Sequence, residues 1–327
     1  MTRYARQTIL PEMGEAGQQR LRAAHVLVVG AGGLGVPVLQ YLTGAGVGAI
    51  TLVDGDRVEE TNLHRQPLYR MSDLGRPKAE AATEAMRALN PDLTLHAVPS
   101  WLDPGNAAQL VAQSDLVLDC ADTFAASFTL SDACMEQNRP LISASALGLT
   151  GYAGGFCGGA PSLRAVFPDL PRSAATCATA GVMGPVVGMI GALQAQMAIS
   201  TLLGLSPSPL GQFLRFDASS WRSAAFRFDG APEPAFAPPF IANSDLTSND
   251  LIVDLRAEAP APFHAQALHI PPENLSDLTP DTNTPRVILA CRTGLRAQNA
   301  AEALHQRWPG PIGLIAIPDA PKTKDQE

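Results

Sequence analysis

The sequence predicts an α/β fold: a doubly wound, mostly parallel sheet with an antiparallel extension, followed by a second, smaller α/β module. Three observations carry this expectation. Short apolar runs alternate with helical segments as far as Ser145, which is the pattern of parallel strands joined by crossover helices. An apolar strand breaks into glycines and restarts as a helix at Val26-Leu-Val-Val-Gly30-Ala-Gly32-Gly33-Leu-Gly35. A proline-rich stretch at 230–239 separates this pattern from a fresh strand beginning at Leu251.

Taken in order, residues 2–22 read as a lead-in with a short helix. Four consecutive apolar residues at 26–29 predict a strand buried on both faces. The glycines after it let backbone N–H groups approach an anion without Cβ interference, and a helix over 34–45 points its positive end there. The next strand, 49–53, ends in Asp54, where a Rossmann-like fold holds a ribose hydroxyl. A helix over 78–89 is stopped by Asn90-Pro91, and a strand follows at 93–98. The alternation continues with a helix at 106–112, a strand at 116–119, a helix near 125–137 and a strand at 141–144.

After Ser145, strands at 150–156, 211–216 and 221–228 lack crossover helices between each pair and form the antiparallel extension. The apolar stretch 180–205 is long enough to cross a bilayer, but Pro185, Gln194, Gln196 and several glycines favour a buried central helix. Residues 157–175, rich in Gly, Pro, Ser and Ala, predict a mobile loop. The chain divides into a first domain at 1–229, a stiff linker at 230–245, a module at 246–320 and a frayed tail at 321–327. In the module, strands at 251–254 and 286–290 precede Cys291 and a helix running to Arg307.

The 327 residues are 46% apolar and 17% charged, as in an ordinary globular protein. A formal charge of −8 argues against nucleic acid as a partner. The five cysteines show no framework spacing, and the opening residues lead straight into polar sequence. The expectation is a cytoplasmic protein with neither a disulfide scaffold, a signal peptide nor a membrane partner.

Two clusters carry chemistry. In Asp54-Gly-Asp56-Arg-Val-Glu-Glu-Thr-Asn62-Leu-His-Arg65-Gln66, a second acid, amides and an arginine follow the ribose aspartate, with Lys78 shortly downstream. A dehydrogenase has no use for that set. Cations clamping phosphates are what phosphoryl or nucleotidyl transfer requires. The second cluster, Leu118-Asp119-Cys120-Ala121-Asp122, ends a parallel strand at the ligand-binding edge. Asp122 suits Mg²⁺, which takes few carboxylates beside substrate phosphates, whereas Asp119 reads as structural.

These residues resemble the ThiF/MoeB/HesA family, bacterial relatives of ubiquitin-activating enzymes. The resemblance covers about residues 2–228. It rests on Arg3-Tyr-Ala-Arg6-Gln-Thr-Ile-Leu, the glycine loop, the run from Asp56 to Gln66, Gly75-Arg-Pro-Lys78, Leu118-Asp-Cys-Ala-Asp122 and Thr176-Cys177-Ala-Thr-Ala-Gly-Val-Met-Gly-Pro185. It implies a homodimeric adenylyltransferase that uses ATP and Mg²⁺ to activate the C-terminal Gly-Gly carboxylate of a small ubiquitin-like sulfur carrier. Gly30, Gly32, Gly33 and Gly35 would then cradle the nucleotide. Asp54 would hold the ribose, with Asp56 and Gln66 in the same site. Asn62, Arg65 and Lys78 would hold phosphates, Asp122 would assist the metal, and Arg6 would reach the partner subunit's site. Cys177, with Arg172 nearby, matches a family cysteine that serves as a covalent attachment point in thiamine-pathway members; a plain small apolar residue is the other reading.

The chain departs from that pattern in two places. Family members carry two Cys-x-x-Cys pairs holding zinc. Here Pro161-Ser162-Leu-Arg-Ala165 and Gly230-Ala-Pro-Glu-Pro stand in their place, so no zinc is expected. Thr123 replaces the asparagine that usually follows the catalytic aspartate. Further on, Cys291-Arg292-Thr-Gly294-Leu-Arg296 places a cysteine between arginines at a helix N-terminus, an arrangement that lowers a thiol pKa and binds anions. This loop, Leu251-Ile-Val-Asp254-Leu-Arg256 and His269-Ile-Pro271 resemble a shortened rhodanese domain, implying either a persulfide-carrying Cys291 or a degenerate docking module.

The resulting expectation is adenylylation of a ThiS-type carrier for thiamine thiazole synthesis, with a cysteine desulfurase as sulfur donor. The thiazole branch is preferred on Arg215-Phe-Asp-Ala-Ser-Ser-Trp-Arg-Ser223 and Gly184-Pro-Val-Val-Gly188. The alternatives are a MoaD-type carrier of the molybdopterin branch, a cysteine-biosynthesis carrier, a nicotinamide oxidoreductase on the same glycine loop, or a scaffold that docks a carrier without adenylating it.

Overall fold

The computed structural model describes residues 3–168, 181–256, 262–281 and 283–317. Cys177, Arg172, residues 169–175 of the expected loop and the expected tail lie outside these residues.

Two short helices, α1 (Ala5–Thr8) and α2 (Gly14–Ala23), lead into the sheet. The parallel strands are β1 (His25–Val29), β2 (Ala49–Val53), β3 (Thr94–Val98), β4 (Leu116–Asp119) and β5 (Pro140–Leu147). Between them run α3 (Gly35–Ala45), α4 (Lys78–Leu89), α5 (Pro104–Ala112) and α6 (Phe124–Glu136). The antiparallel extension is β6 (Thr150–Cys157), β7 (Gln212–Asp217) and β8 (Arg222–Arg227). The sheet order is β3-β2-β1-β4-β5-β6-β7-β8. The strand order reverses between β1 and β4, and that crevice is where open α/β sheets bind ligands.

The apolar runs explain this layering. All four residues of β4 and the last four of β1 are buried, as strands covered by helices on both faces must be. The long apolar stretch forms α8 (Gly184–Leu203), and it packs against α3, β5 and β6. By length and composition α8 would span a bilayer. Here Val186, Val187, Ile190, Ala195 and Ala198 are instead buried in the core, as expected for a central helix. Gly191 permits the closest approach, because a Cβ there would lie 2.5 Å from the Leu34 carbonyl oxygen of the turn before α3.

Two expectations are corrected. The segment after β6 is not one loop, for residues 163–166 form a helical turn, α7 (Leu163–Val166), capped by Ser162. The proline-rich segment, expected as a stiff linker, is packed against both units. Glu233 accepts hydrogen bonds from the Ser162 N–H (2.7 Å) and Oγ–H (2.5 Å), Phe236 stacks on His305 with ring centroids 3.8 Å apart, and the Leu314 N–H donates to the Pro239 carbonyl. Ser162 and Glu233 lie where the family pattern would place the two cysteine pairs.

The second module is a four-stranded parallel sheet ordered β10-β9-β11-β12. It comprises β9 (Leu251–Asp254), β10 (Leu268–His269), β11 (Val287–Cys291) and β12 (Ile312–Ala316), with α9 (Leu295–His305). The sequence reading identified β9 and β11 but not β12. The two units share one apolar core, in which Phe128, Leu130 and Phe156 join Leu289, Ala297 and Leu314. Arg164 crosses between the units. It binds the Asp132 carboxylate at 2.7 and 2.8 Å, the Pro238 carbonyl at 3.2 Å and Gln298 Oε1 at 3.4 Å, with its guanidinium 4.6 Å from the Phe128 ring centroid.

Candidate active site

The register aligns the ends of four strands. Val98 pairs with Val53, Val53 with Val29, and Val29 with Asp119, so the segments that follow all leave the sheet at one edge. The glycine loop leaves β1 with Gly30 at φ 101°, a conformation that L side chains rarely adopt. A Cβ on Gly30 would lie 2.5 Å from the Cys120 carbonyl oxygen, and one on Gly35 would collide with the Gly30 carbonyl. Both glycines are therefore required for the loop to fold back over the start of the Asp122 segment. Gly32 faces Gln66, and Gly33 lies against Val187 of α8.

Asp54 secures this loop from below. Its carboxylate accepts hydrogen bonds from the Ala31 N–H at 2.6 Å and the Asp56 N–H at 2.8 Å. Burial raises its pKa, with Lys78 opposing that shift. Tyr69, which sequence reasoning missed, donates its hydroxyl to the Ala31 carbonyl at 2.8 Å. Lys78 is buried, 5% exposed, with Nζ 2.8 Å from Asp56. Arg65 Nη1 lies against the Thr61 carbonyl (3.0 Å) and His64 Nε2 (2.9 Å). Asn62 is buried, and its Oδ1 accepts from the Glu59 N–H at 3.1 Å.

Asp122 is exposed at the end of β4. It is supported by Asp119, which is fully buried and accepts from Ser143 Oγ at 2.7 Å and the Ala121 N–H at 3.1 Å. Burial raises the Asp119 pKa. Gln194 of α8 completes the support, donating Nε2 to the Asp119 and Ile142 carbonyls and accepting from the Cys120 thiol, whose pKa burial pushes well up. Thr123 caps α6 through an Oγ1 bond to the Ala126 N–H at 3.3 Å. Thus the residue that departs from the family pattern is engaged as a helix cap.

A nucleotide fits these residues. Gln66 is 2% exposed, and its buried Oε1 has no hydrogen-bond partner, an uncommon and costly state for a native amide. It borders the glycine loop, where a Cβ on Gly32 would lie 3.7 Å from Gln66 Nε2. Among the described residues, no three His, Cys, Asp or Glu side chains gather as metal ligands. A divalent ion at Asp122 would draw its other ligands from phosphates and water, as Mg²⁺ commonly does.

The Cys291 loop borders the Asp122 segment, since a Cβ on Gly294 would lie 3.1 Å from Ala125 Cβ at the start of α6. Arg6 is exposed on α1. Cys291 ends β11 and is 1% exposed, with the Ala297 N–H at the start of α9 donating to Sγ at 3.4 Å. The expected anion-binding cysteine loop therefore has its sulfur turned inward beneath the helix N-terminus.

A doubly wound sheet with a glycine-lined cradle at its switch point and a carboxylate on the neighbouring strand defines an α/β fold of the mononucleotide-binding type. The ThiF family model matches residues 4–234, and the chain belongs to that family. Its curated relatives include the adenylyltransferase and sulfurtransferase MOCS3 of Bos taurus, 46% identical over 219 residues, or 66% of this chain and 48% of the relative. MOCS3 of Drosophila sechellia is 43% identical over 223 residues, 67% of this chain and 49% of the relative. The adenylyltransferase and sulfurtransferase uba4 of Emericella nidulans is 46% identical over 217 residues, 63% and 45% respectively. The chain spans about half the length of these relatives. Among solved structures, E. coli MccB superposes with a TM-score of 0.63 at 23% identity, covering 71% of this chain and 74% of that one, which shows the fold.

Proposed function

We propose that this protein is an ATP-dependent adenylyltransferase acting on the C-terminal Gly-Gly carboxylate of a small ubiquitin-like sulfur carrier. The carboxylate attacks the α-phosphate, the α–β phosphoanhydride bond breaks, and an acyl-adenylate and pyrophosphate form. The observation that carries this reading is the glycine cradle flanked by buried Lys78 and the unpartnered Gln66 Oε1, with exposed Asp122 one strand away. Asp54 would hold the ribose, Asn62, Arg65 and Lys78 the phosphates, and Asp122 a magnesium ion. Fixed cations and dipoles at the phosphates are the main requirement of such transfer.

The carrier we propose is of the MoaD type. The thiazole-branch preference gives way because the relatives described above, 43–46% identical, are all adenylyltransferase–sulfurtransferases. A homodimer, with Arg6 entering the partner's site, fits the strongly exposed Ile9 and Leu10 that follow it. Sulfur delivery through Cys291, a cysteine desulfurase as donor, and a cytoplasmic location belong to the same proposal. The test is ATP–pyrophosphate exchange with purified MoaD-type and ThiS-type carriers, for wild type and Asp122→Ala. Exchange with the MoaD-type carrier that is lost in the variant supports the reading. Exchange only with the ThiS type returns the choice to the thiazole branch, and no exchange with either leaves a docking scaffold.

A further inference from the structure

We propose that Trp101 is the base-stacking residue of the nucleotide site, an inference that rests on the nucleotide reading above and adds to it the recognition of the base. The aligned strand ends place four segments side by side in the order β3, β2, β1, β4. At this edge they present an aromatic ring (Trp101), a diol acceptor (Asp54), an anion cradle (Gly30 to Gly35) and a free carboxylate (Asp122). Neighbouring strands lie about 4.8 Å apart, so the row spans roughly 14 Å. Base, ribose, phosphates and metal follow one another in that order in a nucleoside triphosphate.

The indole is held at the ribose end. A Cβ built on Gly55, next to Asp54, would lie 2.6 Å from Trp101 Cδ2 and 2.8 Å from Cε2, so the ring covers that glycine. The backbone beneath it is fixed, since Asn106 Nδ2 donates to the Trp101 carbonyl at 2.9 Å and Asp103 caps α5 through the Gly105 and Asn106 N–H groups. Trp101 nevertheless remains 50% exposed. A large π-face anchored on one side and open on the other beside a ribose carboxylate suits a planar base. Stacking of this kind tolerates any base, so Trp101 supplies affinity for base-bearing nucleotides rather than a choice among them.

The experiment is calorimetric titration of the full chain with ATP, GTP and inorganic tripolyphosphate, each with magnesium, for wild type, Trp101→Leu and Trp101→Phe. Circular dichroism checks that each variant is folded. Loss of stacking in Trp101→Leu is expected to weaken ATP and GTP about tenfold, with Trp101→Phe recovering most of the loss and tripolyphosphate binding alike to all three. Tryptophan emission of the wild type should respond to ATP, and that of Trp101→Phe should not. Unchanged ATP affinity in Trp101→Leu, or an equal loss for tripolyphosphate, overturns the assignment. A wild type that binds tripolyphosphate but not ATP also overturns it, whereas one that binds neither overturns the nucleotide reading itself.

Discussion

Gln194, at the middle of the central helix, donates its side-chain amide to the carbonyls of Asp119 at 2.7 Å and Ile142 at 2.9 Å. These residues are 75 and 52 positions away in the chain. One fully buried side chain thereby joins the end of β4 and the body of β5 to the helix that covers them, directly below the segment bearing Asp122.

Replacing this amide with an apolar side chain of similar length strands two buried acceptors. Gln194→Met is expected to cost about 3 kcal/mol, the sum of two unsatisfied carbonyls at about 1–3 kcal/mol each less partial relaxation. A urea titration followed by circular dichroism measures it, and a cost within 0.5 kcal/mol of zero, read against the usual scatter of surface changes, would count against the support role.

Lys78 faces both Asp56 and Asp54. Lys78→Met removes the cation that opposes the burial-driven rise of the Asp54 pKa, so Asp54 should titrate still higher in the variant. Carbon-detected NMR of the carboxyl group reads that shift without any ligand. ATP–pyrophosphate exchange should fall by about a hundredfold or more, in line with the loss of a fixed charge at a transferring phosphoryl group.

Arg164 joins the two units while buried, its guanidinium over the Phe128 ring. Arg164→Met leaves the Asp132 carboxylate without its partner. Because Asp132 is one-third exposed, the cost is expected at about 2–3 kcal/mol, below that of a fully buried pair. Limited proteolysis should show faster cutting in the 230–240 segment, and an unchanged cutting pattern would argue that the shared apolar core alone holds the units together.

The Asp250–Arg286 pair links the starts of β9 and β11 through bonds of 2.9 and 2.7 Å, and Arg286 holds the Asp250 pKa below its ordinary 3.8. A depressed folded-state pKa stabilises above the unfolded value and loses that contribution as pH falls from about 3.8 toward the lower folded value. Asp250→Asn should therefore be less stable than wild type at pH 7, by about 1–2 kcal/mol, and should lose less on going from pH 5 to pH 3. Melting temperatures across that range test the sign.

Much of the sheet was legible because its signals are local. Val26 to Val29 announce a strand covered on both faces, and Gly30 to Gly35 announce the turn after it. The nucleotide cluster from Asp54 to Gln66 is likewise one short segment. The supports were not legible. Tyr69 on Ala31, Gln194 on Asp119 and Arg164 on Asp132 join residues far apart in the chain, and nothing in a single sequence pairs them. Trp101 left a signal that went unread, a large aromatic three residues beyond a parallel strand at the ligand edge. β12 was missed because Ile312 to Ala316 is short and contains a glycine. The inward turn of Cys291 was also hidden, since the Cys-x-x-Gly-x-Arg spacing describes the loop but not which way its sulfur points.

The join between Ser162 and Glu233 closes the same stretch of chain that a cluster of thiolates would close. It uses a hydroxyl, a backbone amide and a carboxylate, none of which air, peroxide or a chelator can remove. This particular join is made without a thiol or a metal ligand, so peroxide or a chelator should leave it intact.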